Sequence, residues 1–194
     1  DVDGRDARQI SRERRWFVNS PTWSPDGAYV YARRHFVKER SLGAGEIWLY
    51  HVSGADGLQV TDKNGWQKDA GEPAVSPDGR YLYYSKDVSP GENFEYNKDP
   101  NGAIYAIVRR DLLTGEERRE VSVQGGAVTP RLSPDGKHLA YVRRVRLGSV
   151  LYVAAQMMWE GGREVIDDLG YTAQYNAVVP DFLDIEPKVP ALAH

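Results

Sequence analysis

Short runs of alternating apolar and polar residues, each closed by a turn, organise this chain. The clearest alternation follows a four-residue turn, Ser-Pro-Asp-Gly, found at Ser24–Gly27, Ser76–Gly79 and Ser133–Gly136. Counted from each glycine, apolar side chains stand at the third position (Val30, Leu82, Leu139) and the fifth (Ala32, Tyr84, Tyr141). A spacing of two puts them on one face of a strand. The seventh position is a cation each time, Arg34, Lys86 and Arg143; it is either a solvated strand end or one member of a ring of charge. Each turn is entered from a short segment that begins at Pro21, Pro73 or Pro130, which predicts a second strand. In the turn, proline presets φ, aspartate bonds back to the backbone and glycine takes the positive φ. Asp26, Gly27, Asp78, Gly79, Asp135 and Gly136 are therefore structural turn residues and poor catalytic candidates.

A third apolar run lies two residues beyond Gly45, Gly102 and Gly148: Ile47–Tyr50, Ile104–Ile107 and Val150–Val153. A polar turn and a fourth run follow, at Leu58–Thr61, Arg118–Val123 and Arg163–Asp167. Every unit thus carries four strands, A to D, in an antiparallel meander. Repeats of this length and content predict an all-β fold, a β-propeller with Ser-Pro-Asp-Gly A–B turns. The pattern divides the chain into the end of a preceding blade (1–19), blades at 20–62, 63–123 and 124–168, and a degenerate or divergent tail (169–194). Residues 1–11 match the turn and D strand at His51–Thr61, and AVVPDF at Ala177–Phe182 faintly echoes AVSPDG at Ala74–Gly79. About three clear blades do not close a ring of four to eight. The chain is either part of a larger propeller, the reading preferred here, or a very small ring in which both ends share a fourth blade.

The net charge is −3 with the cations spread along the chain, which argues against a nucleic-acid partner. There is no cysteine, so disulfides and thiolate metal sites are excluded. No apolar run reaches the length of a membrane span, and the N-terminal residues lack the apolar core of a signal peptide.

Catalytic signatures are missing. The four histidines, His35, His51, His138 and His194, form neither HxH nor HExxH, and no GxSxG, GxxxxGK or GxGxxG occurs. No catalytic residue, metal site or cofactor is predicted. The meander puts A–B and C–D turns at one end of a blade and B–C and D–A connections at the other. The A–B turns are uniform, whereas the B–C connections vary from His35–Ala44 and Asp87–Asn101 to almost nothing in the third blade. Unequal loops on a regular scaffold are where binding usually resides. The candidate binding residues are accordingly Trp66, Lys68, Asp69 and Glu72 in a D–A connection, and Phe94, Tyr96, Asn97 and Asp99 in a B–C connection. Trp66 and Tyr96 can equally serve to pin these loops to the blade. Asn97–Gly102 has the oxygen spacing of half a calcium loop, but its twelfth position is Val108 rather than a bidentate glutamate, and an Asn/Asp-rich turn explains the same residues.

Longer strings carry a family resemblance. The Ser-Pro-Asp-Gly repeat followed by IWLYHVSGADGLQVT (Ile47–Thr61) resembles the propeller repeats of TolB. Trp66–Ser85, Phe94–Ile107 and Leu132–Val153 are similar to the N-terminal propeller of bacterial TolB-like amidohydrolases, and the resemblance covers about Asp1 to Val153. It implies a periplasmic or secreted protein whose propeller precedes a metal-dependent barrel; the metal ligands of that barrel have no counterpart here. On this reading the chain is a scaffold for substrate or protein, the non-catalytic part of a hydrolase. The alternatives are a stand-alone protein–protein interaction module and the propeller of a prolyl-oligopeptidase-like peptidase. The partners implied are a protein, the remaining blades or a catalytic domain, with self-association through open blade edges.

Overall fold

The computed structural model describes residues 5–35, 44–62, 65–93, 102–145, 148–155 and 163–166. Their twelve strands form three four-stranded antiparallel sheets, each in sequence order. The first contains β1 (Phe17–Trp23), β2 (Tyr29–His35), β3 (Gly45–His51) and β4 (Leu58–Gln59). The second contains β5 (Ala70–Val75), β6 (Tyr81–Asp87), β7 (Tyr105–Asp111) and β8 (Glu117–Val121). The third contains β9 (Ala127–Leu132), β10 (His138–Val145), β11 (Gly148–Ala155) and β12 (Arg163–Ile166). The A strands β1, β5 and β9 lie side by side, so the sheets stack face to face as the blades of a partial β-propeller. No helix among the described residues is long and apolar enough to cross a membrane.

The three A–B turns share one hydrogen-bond scheme. In the first, Ser24 Oγ donates to Asp26 Oδ1 (2.5 Å), which also accepts from the Ala28 amide (3.0 Å), while the Tyr29 amide donates to Ser24 Oγ (2.9 Å). The same bonds join Ser76, Asp78, Arg80 and Tyr81, and Ser133, Asp135, Lys137 and His138. The serine hydroxyl and the backbone amide hold all three carboxyls below their ordinary range. Gly27, Gly79 and Gly136 stand at φ 69°, 73° and 70°, where a Cβ is strained.

Two details depart from the sequence pattern. The A strands start at Phe17, Ala70 and Ala127, ahead of the prolines. Ser20, Glu72 and Thr129, each just before Pro21, Pro73 or Pro130, adopt φ of 51°, 56° and 57°, where the A–B pairing slips. Proline has no N–H for the ladder, and a bulge is how a strand accommodates it. The C strands also align differently. Trp48, Val108 and Tyr152 pair with Ala32, Tyr84 and Tyr141. Counting from Gly45, Gly102 and Gly148 equates Trp48 with Tyr105 and Leu151 instead, because the B–C connections differ in length.

Two apolar clusters hold the sheets together. Tyr31 and Ile47 of the first sheet meet Ala70, Leu82, Tyr84 and Val108 of the second. Ala74, Tyr83, Ile107 and Val121 of the second meet Ala127, Leu139 and Tyr141 of the third. Each fully buried side chain of this size contributes roughly 1.5–3 kcal/mol, so apolar packing supplies most of the cohesion. The third and fifth positions after each turn therefore face the preceding sheet. In the first sheet these positions, Val30 and Ala32, are buried too. Residues 5–16 form no ladder strand but run against that sheet. Ser11 bridges Ala55, and Glu13 accepts from Tyr50 Oη (3.1 Å) and lies 3.3 Å from Arg34. Trp23 escapes this cover and is 62% exposed, whereas its counterparts Val75 and Leu132 pack into the clusters between sheets.

Candidate functional site

The two ends of the blades differ as the meander requires. At one end the C–D turns pack on the A–B turns. The amides of Val52 and Leu112 donate to the carbonyls of Ala28 (3.0 Å) and Arg80 (2.9 Å), and Arg80 makes a two-pronged bond to Asp111 (2.9 and 2.7 Å). That pairing holds the Asp111 carboxyl down to about 2. At the other end the D–A connection before β5 packs on the B–C connection after β6. The Gln67 amide donates to the Glu92 carbonyl (3.0 Å), and Gly65 abuts the Glu92 backbone.

Beneath this second end runs a layer of buried polar groups. Lys68, 1% exposed, donates through Nζ to Asp87 Oδ1 (3.2 Å), the Ser89 carbonyl (2.9 Å) and Ser89 Oγ. Asp87 Oδ1 in turn accepts from the amide and hydroxyl of Ser89 (2.9 and 2.6 Å). Asp69 accepts from Arg33 Nε at 2.8 Å, with side-chain exposures of 13% and 5%. Burial pushes the Asp69 carboxyl up to about 7; Arg33 pulls it down, and the neighbouring Glu72 and Asp87 add to the rise. The Arg33 side chain lies flat over two glycines: a Cβ on Gly71 would sit 2.5 Å from Arg33 Cδ, and one on Gly45 3.0 Å from Arg33 Nε. Tyr105 is buried beside Asp69 and Asp87, and burial drives its phenol well above the ordinary range.

A second polar junction joins the second and third sheets. Glu72 Oε2 accepts from Ser85 Oγ (2.5 Å) and from the Thr129 amide (2.8 Å), which also reaches Ser85 Oγ (2.9 Å). The strained bulge at Glu72 thus aims its carboxylate at the matching bulge of the next blade.

Of the residues proposed from sequence, Trp66 is 43% exposed at the loop end. Lys68 is buried and Asp69 largely so, each in an ion pair, and Glu72 is half-buried between sheets. Phe94, Tyr96, Asn97 and Asp99 lie outside the described residues, as do Asn101 and the C-terminal residues 167–194. The site also uses Arg33, Ser85, Asp87 and Thr129, which the sequence reading passed over. Arg33 and Ser85 occupy the even, sixth position after the turn glycine, whereas the apolar alternation marks only the odd ones. The cations at the seventh position are neither free strand ends nor a ring. Arg34 sits between the rings of Trp16 and Trp48 (4.5 and 3.9 Å), Lys86 lies 2.6 Å from Glu117, and Arg143 Nε donates to the Gln124 carbonyl (3.1 Å). Among the described residues no cluster of three or more His, Asp or Glu is placed to hold a metal ion.

Four-stranded meanders stacked on their inner strands, with tight turns at one end and unequal connections at the other, define a β-propeller whose loop end is braced by buried ion pairs. The fold is TolB-like. TolB from Acinetobacter baumannii superposes with a TM-score of 0.53 and 16% identity, over 80% of this chain and 33% of that one. A putative TolB from Agrobacterium tumefaciens gives 0.51 and 16%, over 82% and 65%. A chain of the nidogen/laminin complex gives 0.52 and 12%, over 78% and 49%. In sequence, the uncharacterized peptidase YuxL of Bacillus subtilis is 24% identical over 144 residues, covering 62% of this chain and 21% of that protein. No family model matches the chain. The chain spans about a fifth of the curated relative and from a third to two thirds of the solved propellers.

Proposed function

We propose that this chain is the binding scaffold of a larger exported, periplasmic protein, the non-catalytic propeller of an amidohydrolase-like hydrolase. The observation that carries the reading is the braced loop end. Lys68–Asp87 and Arg33–Asp69 fix the bases of two connections in position, while Trp66 stands exposed among them. A fixed frame under an exposed aromatic lowers the ordering cost of association and suits a partner domain or a substrate. Trp23, exposed where its counterparts pack against a preceding sheet, suits the docking of a further blade.

A second reading is favoured by the peptidase relative: the propeller of a prolyl-oligopeptidase-like enzyme. The coding sequence on either side of this segment separates the two. An adjoining HxH with further His and Asp metal ligands supports the amidohydrolase, a GxSxG elbow supports the peptidase, and neither motif overturns both. With the partner domain in hand, Trp66→Ala is expected to weaken its binding at least about tenfold without lowering the melting temperature. An equal loss of folding would assign Trp66 to packing.

A further inference from the structure

On the face of the second sheet that carries Tyr84 and Val108, a cavity of about 400 Å³ opens between β6, β8 and the turn after β6. Its volume is that of a small-molecule site. Val108, 2% exposed, lies at its base. The β7–β8 ladder places Arg119 beside Val108 and Glu117 beside Arg110, and the β6–β7 ladder places Lys86 opposite Ala106. Lys86 and Arg119 therefore flank Val108 from its two sides.

The charges around this cavity do not balance. Lys68 is matched by Asp87, and Glu117 serves both Lys86 (2.6 Å) and Arg110 (3.1 Å). Glu117 is fully committed, because Tyr84 Oη donates to it as well. Arg118 reaches Glu120 only at 3.8 Å. Arg119 is exposed and, among the described residues, has no ion-pair partner. Lys86 uses one of its three ammonium protons on Glu117, leaving two donors. The four cations of the lining, Lys68, Lys86, Arg118 and Arg119, outnumber its two carboxylates, Asp87 and Glu117, and a guanidinium fork beside a spare ammonium forms a receptor for an oxyanion.

We propose that this cavity binds a small anionic ligand through a carboxylate or phosphate group held by Arg119 and Lys86, with Ser89 at its rim. Val108 gives the body of the ligand an apolar floor. The site adjoins the loop end, sharing Lys68, Asp87 and Ser89 with its brace, and does not depend on which enzyme the propeller serves.

The test is calorimetric titration of the purified chain, at low ionic strength, with inorganic phosphate and separately with succinate. One saturable equivalent is expected for at least one probe. Phosphate alone assigns a phosphorylated ligand, succinate alone an organic acid, and both a general oxyanion site. Arg119→Ala should weaken binding about tenfold with an unchanged melting temperature, because that side chain is exposed and has no ion-pair partner among the described residues. Lys137→Ala removes the same charge from an A–B turn and should leave affinity unchanged. No saturable heat with either probe, or equal weakening by both variants, overturns the proposal.

Discussion

Replacing Arg33 with methionine isolates the electrostatics of the junction between the first two sheets. Methionine keeps most of the side-chain stem over Gly45 and Gly71, so the main loss is the cation facing Asp69 at 2.8 Å. Burial already pushes the Asp69 carboxyl to about 7, against an ordinary value of 3.8. Because the folded carboxyl holds its proton more tightly than the unfolded one, this group lowers stability as pH rises from about 4 to its folded pKa, and has no further effect above it. Arg33 is what pulls that pKa down, so in the variant the decline continues to higher pH. At pH 6 Asp69 is mostly protonated in both proteins, and the variant lacks the hydrogen bond to Asp69, about 1 kcal/mol. Between pH 7 and 9 the parent is level while the variant falls by up to about 1.4 kcal/mol per pH unit. The deficit should therefore grow from about 1 kcal/mol at pH 6 to about 3–4 kcal/mol at pH 9, in line with the cost of breaking a buried ion pair. Urea unfolding followed by tryptophan fluorescence at the two pH values measures it. A deficit that stays constant with pH would show that Arg33 acts through packing, and would refute the assignment of a raised carboxyl at Asp69.

Two further substitutions probe the backbone. Gly79→Ala should cost about 1–2 kcal/mol; the nearest atom to the new Cβ is the Pro25 side chain at 3.9 Å, so the loss is conformational, and melting of the variant reads it directly. At position 72, φ is 56°, so Glu72→Gly should be better tolerated than Glu72→Ala by about 1 kcal/mol in urea unfolding, although both lose the bonds to Ser85 and Thr129. Equal destabilisation would mean that the bulge relaxes and stores no strain.

The parts of the fold legible in sequence are those whose determinants are contiguous. Each Ser-Pro-Asp-Gly turn is closed by residues within five positions of one another, and the strand after it shows its period directly. The bulges at Ser20, Glu72 and Thr129 were hidden because proline fits the start of a strand as well as an interruption within one. The C-strand register was hidden because a glycine before a strand is no fixed landmark when the preceding loop changes length. The candidate site was legible only in outline. Lys68 and Asp69 look like loop charges, but their partners Asp87 and Arg33 lie 19 and 36 residues away in sequence. Arg33–Asp69 forms only where the first two sheets stack, and Lys68–Asp87 only where the connection before β5 packs on the end of β6.

That stacking also makes the blades non-interchangeable despite their identical turns. The sixth position after the turn glycine points to the following sheet, since it alternates with the positions that face the preceding one. It is Arg33 in the first sheet, Ser85 in the second and Val142 in the third. Arg33 reaches Asp69 at the start of β5, and Ser85 reaches Glu72 and the Thr129 amide of β9. Swapping the two would leave Asp69 without its cation, costing several kcal/mol, and would force a guanidinium into the space of a hydroxyl wedged between Glu72 and the Thr129 amide. Val142 is buried and offers no polar group, so this position makes no polar junction in the third sheet. The apolar clusters hold the blades together, and this register position gives each of the two junctions its own polar pairing.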